Sequence, residues 1–259
     1  MELLILRHGE WKELYNCSRL TESEWEAAQS PWRSLGLIYF TIGVVFILLY
    51  SICLKVMWKL RENSCYKIMM QIGITDMANL SINAVLTGYF CFTGSNYCNH
   101  PLLNYISGSL VLGFWGSCCS SSVLLAVNRA FELWFPCYMD KLFGGYRIVP
   151  WMTIPYIYGI YFVLFTPPPA YQSMANAWFY DPYVGFKAYK NVDRTPYVNS
   201  SVDNHNLVIP ILILVFYLFL MFTVWTVGGM VIVNQIWDGG CQFDGDVSGP
   251  NDSSTEPKV

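Results

Sequence analysis

The chain has 259 residues, 54% of them hydrophobic and only 13% charged, with a formal net charge of −3. Soluble domains carry about 25% charged residues, so this composition excludes an ordinary soluble domain and points to membrane spans. No basic patch with interleaved aromatics is present, which argues against nucleic acid as a partner.

The first 34 residues are polar and carry both signs of charge. Leu3-Leu4-Ile5-Leu6 is too short for the apolar region of a signal peptide, so the first span is expected to act as an uncleaved signal anchor. A lipid core of roughly 30 Å needs about 20 apolar residues per helix. Five stretches meet this, giving expected helices at about 35–58, 68–92, 103–127, 148–167 and 207–233. The expected fold is an all-α integral membrane protein, a helical bundle of five transmembrane helices spanning 35–233. The segment 234–259 is rich in Gly, Ser, Asp and Pro, carries Asp238, Asp244, Asp246, Asp252 and Glu256 against Lys258, and reads as a disordered acidic tail.

Short loops decide orientation. The first loop holds Lys55, Lys59, Arg61 and Lys67, the second holds no Lys or Arg, and the third holds Arg129, Lys141 and Arg147. Loops one and three, and the tail, are therefore expected in the cytoplasm. The N-terminal segment 1–34, loop two and the long fourth loop are expected outside. The glycosylation sequons Asn16-Cys17-Ser18 and Asn199-Ser200-Ser201 fall on that same outer side.

Within the spans, the second is the polar one. Asp76, Asn79, Asn83 and Thr87 are spaced i, i+3, i+7, i+11, which is one face of an α-helix. An intramembrane carboxylate is costly and normally faces protein or water. The face reads either as an ion-coupled switch or relay, or as a buried carboxylic acid held by the asparagines. The third span carries small residues at Ser109, Gly113, Gly116 and Ser120, which let helix backbones approach and place that helix in the middle of the bundle. It ends in Asn128-Arg129, with Glu132 following. Arg129 reads as a contact for a partner protein or as a snorkelling arginine at the membrane boundary. Pro150, Pro155 and Pro210 mark helix entries or kinks, and Pro167-Pro168-Pro169 stops the fourth helix. Tyr171, Trp178, Phe179 and Tyr180 gather beyond it as an interfacial belt would, with a ligand-binding lid as the sharper alternative.

Nine cysteines are present without any Cys-x-x-Cys pair, and there are only three histidines, so a zinc site has no support. Cys53, Cys118 and Cys119 read as small packing residues within helices. Cys17, Cys91 and Cys98 are the candidates for a disulfide, and the sequence leaves their pairing open. His100 and His205 stand at helix mouths without matching partners, and no residue set suggests catalysis or a cofactor. A transporter is disfavoured because no repeated hydropathy halves are visible.

One ordered series of residues carries a family likeness. It begins at Tyr15-Asn16-Cys17-Ser18 and Trp25, and runs through Gly36, Tyr39, Gly43 and the segment from Leu49-Tyr50 to Cys53-Leu54. Cys65-Tyr66-Lys67-Ile68-Met69 and Asp76 follow, then Gly94, Tyr97-Cys98, Pro101, Tyr105, Gly108 and Trp115. Leu124-Leu125-Ala126-Val127-Asn128-Arg129 with Glu132, and Trp178-Phe179-Tyr180-Asp181-Pro182, complete it. In this order the chain resembles the nematode serpentine chemoreceptors of class T, seven-helix G-protein-coupled receptors of the rhodopsin-like superfamily, from about residue 15 to about residue 225.

The resemblance implies a receptor at the plasma membrane, in sensory-neuron cilia, that detects a small molecule and signals through a heterotrimeric G protein. It aligns Arg129 with the arginine at the inner end of the third helix, with Asn128 and Glu132 beside it. Asn128 stands where many rhodopsin-like receptors have an acid, so a salt bridge between those two neighbours cannot form. The fourth loop has no cysteine, so Cys98 pairs elsewhere or stays free. Five spans in place of seven imply an incomplete seven-helix fold, truncated after the fifth helix, that signals poorly or not at all. The alternative expectation is a non-signalling isoform that associates with full-length receptors of the same family and alters their trafficking, or is retained in the endoplasmic reticulum.

Overall fold

The computed structural model describes residues 1–226, so the end of the fifth expected span and the acidic tail expected at 234–259 lie outside the described residues. Met1–Phe216 form one compact unit, and a second begins at Tyr217. The helices are α1 (Glu2–Ile5), α2 (His8–Leu14), α3 (Glu22–Ala27), α4 (Arg33–Lys59), α5 (Ser64–Leu80), α6 (Thr87–Thr93), α7 (Pro101–Trp134), α8 (Pro136–Phe143), α9 (Ile148–Phe165) and α10 (Ser200–Thr226). The two strands are β1 (Ala170–Gln172) and β2 (Ala177–Phe179).

Among the described residues, four stretches are helical, long and apolar enough to cross a membrane: Arg33–Lys59, Pro101–Trp134, Ile148–Phe165 and Thr195–Trp225. The second expected span is built differently. α5 runs into a π-helical turn, Ser81–Leu86, and on into α6 without a break, so no single segment of it reaches full crossing length. The helix over the third expected span continues past residue 127 to Trp134, because a helix does not end where its apolar stretch ends.

Packing in the bundle follows the rule for lipid. α4 buries only Gly36 and Gly43 and exposes Leu37, Ile38, Phe40, Phe46, Leu48 and Leu49. Large apolar side chains face outward and glycines face the neighbouring helix, since lipid tails offer Leu as good an environment as a protein core. α7 packs between α5 and α9 and is the most buried of the spans. Its small stripe makes this crossing close. A Cβ placed on Gly159 of α9 would lie 2.5 Å from the Gly113 carbonyl and 3.0 Å from Ser117 Cβ, and one on Gly116 would lie 2.9 Å from the Phe162 ring. Pro155 removes a helical N–H from α9, and Gln71 of α5 reaches across to donate to the nearby Met152 carbonyl at 2.9 Å.

At one end of the bundle the chain folds into a cap. α1 to α3, the α6–α7 loop, the start of α7 and the α9–α10 loop share a core of Tyr15, Trp25, Tyr97, Tyr105, Tyr183, Tyr189 and Tyr197. A disulfide joins Cys17 to Cys98 across 81 residues of sequence. α6 ends at Gly94, whose φ of +76° and close approach to Pro31 admit only glycine. Asn96, wholly buried, ties three segments together: Nδ2 donates to the Ala28 carbonyl at 3.1 Å, and Oδ1 accepts from Ser173 N at 3.1 Å and Ser173 Oγ at 2.8 Å. At the opposite end, α4 and α7 finish and α5 and α9 begin. Lys67 donates there to the Gly145 carbonyl at 3.2 Å. Because Lys55, Lys59, Lys67, Arg129, Lys141 and Arg147 all belong to this end, it is called the basic end.

Candidate functional site

Three places along the bundle hold polar chemistry. In its middle, Asp76 of α5 ties three helices together. Oδ2 accepts from the Tyr50 hydroxyl of α4 at 2.9 Å, and Oδ1 accepts from the Cys118 thiol of α7 at 3.0 Å. One turn on, with the Asn79 amide oriented to satisfy both of its ends, Nδ2 donates to the Val111 carbonyl and Oδ1 accepts from Trp115 N, each at 3.2 Å. Tyr50 and Cys118 are neutral donors, so the carboxyl group is hydrogen-bonded from two sides without an opposing cation in this node.

The expected polar face is corrected at Asn83, which is exposed. Asn83 lies within the π-helical turn Ser81–Leu86. Thr87 is nevertheless buried, and its hydroxyl donates to the Ile82 carbonyl at 3.0 Å, five residues back.

At the basic end, the three residues expected to meet a partner protein separate into two roles. Asn128 is wholly buried, and its Nδ2 donates to Ser64 Oγ at 3.0 Å, pinning α7 to the first turn of α5. In this structure Asn128 is an interhelical clamp. Arg129 pairs with Glu132 one turn along its own helix and also meets the Cys65 sulfur. The two paired side chains are 41% and 39% exposed, so the ion pair is worth only about 0.3–0.5 kcal/mol. The acid absent from position 128 is thus supplied by Glu132, and the i, i+3 spacing was its signal in the sequence.

At the cap end, the aromatic residues expected to form an interfacial belt are instead a β-hairpin folded into the protein. β1 and β2 pair antiparallel, with Tyr171 opposite Trp178, and Asn176 takes a positive φ of 48° at the turn. Tyr171 is wholly buried against Phe90, its N–H donates to Asn104 Oδ1 at 3.0 Å, and Trp178 Nε1 donates to Thr87 Oγ1 at 3.0 Å. Hydrogen bonds to protein polar groups hold Tyr171 and Trp178 in this cluster. Burial pushes the Tyr15, Tyr97 and Tyr183 phenols well above the ordinary tyrosine value.

Of the three candidate cysteines, Cys17 and Cys98 form the disulfide. Cys91 is a free thiol that donates to Asn176 Oδ1 at 3.2 Å. The two sequon asparagines differ as well. Asn16 is exposed. Asn199 is buried, its Nδ2 donates to the Pro167 carbonyl at 3.0 Å, and its Oδ1 accepts from Val202 N at 3.1 Å. In this fold the Asn199 side chain holds the start of α10.

His205, expected at a helix mouth without a matching partner, has one in the fold. It lies inside α10, only 3% exposed, with Nδ1 at 2.9 Å from the Tyr158 hydroxyl, its ring 4.1 Å from Trp115, and Phe162 close by. Nε2 is buried without a partner. A lone histidine near the start of an apolar span gives no periodic signal, so only the fold shows that α7, α9 and α10 meet around it.

A family model described as "Serpentine type 7TM GPCR chemoreceptor Srt" matches residues 3–237. The chain is 24% identical over 220 residues to "Serpentine receptor class T-55" of Caenorhabditis elegans, an alignment that covers 82% of this chain and 57% of that protein. The chain therefore spans a little over half the length of this curated relative. No solved structure matches. The family match covers all five helical spans and the cap, and with four apolar crossing helices in place, the chain belongs to the class T serpentine chemoreceptors, a family of multi-pass membrane receptors and not of enzymes.

Proposed function

We propose that the chain acts as a chemosensory receptor that detects a small molecule at the plasma membrane and passes the signal to a heterotrimeric G protein. The observation that carries this reading is the state of Arg129. It is half-exposed at the basic end of α7 and held by a weak ion pair that a protein partner could exchange for its own contacts. α7 runs from that end to the cap, packed between α5 and α9, so it is the element through which an event at one end reaches the other. The concentration of Lys and Arg at the basic end supports a cytoplasmic position for it, and the disulfide and exposed Asn16 support an outer position for the cap.

The polar groups facing the middle of the bundle suit a small, partly polar molecule. His205 Nε2 is unpartnered among Trp115, Tyr158 and Phe162, and Asp76 of α5 accepts from Cys118, which lies one turn from Trp115 along α7. The test is nucleotide exchange on purified G-protein heterotrimers added to membranes that carry the full chain, screened against volatile and water-soluble small molecules. The reading expects exchange that rises with some of these molecules and is lost in Arg129→Ala at equal membrane level. A correctly inserted chain that never stimulates exchange, or an Arg129→Ala response equal to the native one, overturns it.

A further inference from the structure

The turn between α8 and α9 gathers cations that the chain does not neutralise. Three basic side chains meet there, Lys67 from α5, Lys141 from α8 and Arg147 directly before α9. Lys67 Nζ donates to the Gly145 carbonyl at 3.2 Å, and Arg147 Nη1 donates to the Asp140 and Lys141 carbonyls at 3.3 and 3.4 Å. Lys141 Nζ lies 5.6 Å from the centre of the Tyr138 ring. These contacts use carbonyls and a ring, not acids. Among the described residues none of the three cations forms an ion pair, although Glu62, Glu132 and Asp140 belong to the same end, and Glu132 is taken by Arg129. An ammonium has three N–H donors and a guanidinium five, so Lys67 and Arg147 keep donors to spare.

The same turn stands at the level of a membrane surface. α9 starts at Ile148, next to Arg147, and already exposes Val149 and Trp151 as a helix entering lipid does. Tyr138 and Tyr146 are exposed beside the cations, Tyr146 by 92%, and tyrosine is favoured at the headgroup layer. An acidic protein would suit the charges alone. Exposed rings and a lipid-facing helix beginning at the next residue suit an anion that carries acyl chains.

We propose that Lys67, Lys141 and Arg147 form a headgroup site for an anionic phospholipid, with the phosphate at the α8–α9 turn and the acyl chains along α9. The site does not rest on the receptor reading, since it needs only a membrane at the basic end.

The test is native mass spectrometry of the full chain in detergent, titrated with phosphatidylserine or with phosphatidylcholine. Phosphatidylserine should bind the native chain more tightly. Lys141→Gln and Arg147→Gln should each weaken it about fivefold, the worth of one cation at an anionic surface, and leave phosphatidylcholine unchanged. Arg147→Lys should keep the preference. Lys59→Gln removes a cation of the same end that lies outside the turn, and should change little. Equal affinity for the two lipids overturns the proposal, and so does a loss in Lys59→Gln as large as that in Lys141→Gln, which would mean diffuse charge without a site. Displacement of the lipid by inorganic phosphate would reassign the turn to a soluble anion and overturn it too. Lys141 donates no hydrogen bond to the fold, so Lys141→Gln decides the matter alone if Arg147→Gln fails to fold.

Discussion

The cap and the bundle obey opposite packing rules within one chain. In the cap, the largest rings are inside: Tyr97, Tyr183 and Tyr189 are almost wholly buried, with Tyr183 stacked on Tyr189 at 4.1 Å, while Asn16, Arg19 and Glu24 face out. In α4 the order is reversed, with glycines inside and Phe and Leu outside. The cap is folded by water, which drives aromatic surface inward. The bundle is folded in lipid, where that drive is absent and close backbone approach and hydrogen bonds decide. The difference shows where each region is vulnerable. The cap depends on burial, covalent stapling and the neutrality of its phenols, and the bundle on small residues and satisfied polar groups.

The largest effect that sharpens this contrast comes from alkali. Burial holds the Tyr15, Tyr97 and Tyr183 phenols well above their ordinary value near 10. The folded cap therefore keeps protons that the unfolded chain releases, so stability is intact below about pH 10 and falls as pH rises beyond it, by about 1.4 kcal/mol per pH unit for each such group. Near-ultraviolet circular dichroism of the chain in nanodiscs should show the cap melting between roughly pH 10 and 12 while the far-ultraviolet helical signal is largely kept. A single transition that takes both signals together would erase the distinction between the two regions.

Next in size is the disulfide. Cys17→Ser opens a closure of 81 residues and should cost about 2–5 kcal/mol. Hydrogen exchange should rise in the N-terminal segment and the fourth loop and stay low across α7. Smaller again is Gly159→Val in the bundle. Its added Cβ would lie 2.5 Å from the Gly113 carbonyl and should cost about 1–3 kcal/mol by forcing α7 and α9 apart. Gly9→Ala in the cap, with nothing within 4 Å, is its control and should be close to neutral. Thermal unfolding of the two variants in the same detergent separates them, and an equal shift for both would deny the close crossing.

How much of this was legible in the sequence follows from the same contrast. A lipid crossing imposes composition on every residue it contains, so the apolar runs of α4, α7, α9 and α10 could be seen by hydropathy alone, and the small residues Gly113 and Gly116 announced a close neighbour. The cap imposes no such uniform pattern. Tyr171 and Trp178 near a membrane edge fit a headgroup belt as well as a buried hairpin, and only the pairing of residues distant in sequence, such as Trp178 with Thr87 and Tyr171 with Asn104, decides between them. The π turn was hidden because a periodicity argument assumes one winding throughout. Asn199 and Asn128 share a lesson: each matched a motif, but in the fold each spends its amide on a structural bond.

The basic end offers the finest test, because adjacent residues there differ in kind. Asn128 is wholly buried and donates to Ser64, so Asn128→Ala removes a bond between α7 and α5 inside the bundle and should cost about 1–2 kcal/mol. Arg129 is half-exposed, and its pair with Glu132 is screened by water, so Arg129→Ala should change stability by no more than about 0.5 kcal/mol. The two variants should therefore separate completely: Asn128→Ala lowers the unfolding temperature, whereas Arg129→Ala leaves it nearly unchanged yet loses stimulation of G-protein nucleotide exchange. Glu132→Gln, which weakens the restraint on Arg129 while keeping the helix, should leave stability intact and raise exchange in the absence of any added molecule. If Arg129→Ala instead destabilises as much as Asn128→Ala, the arginine is part of the α5–α7 clamp, and the basic end is a structural joint without a free group to offer a partner.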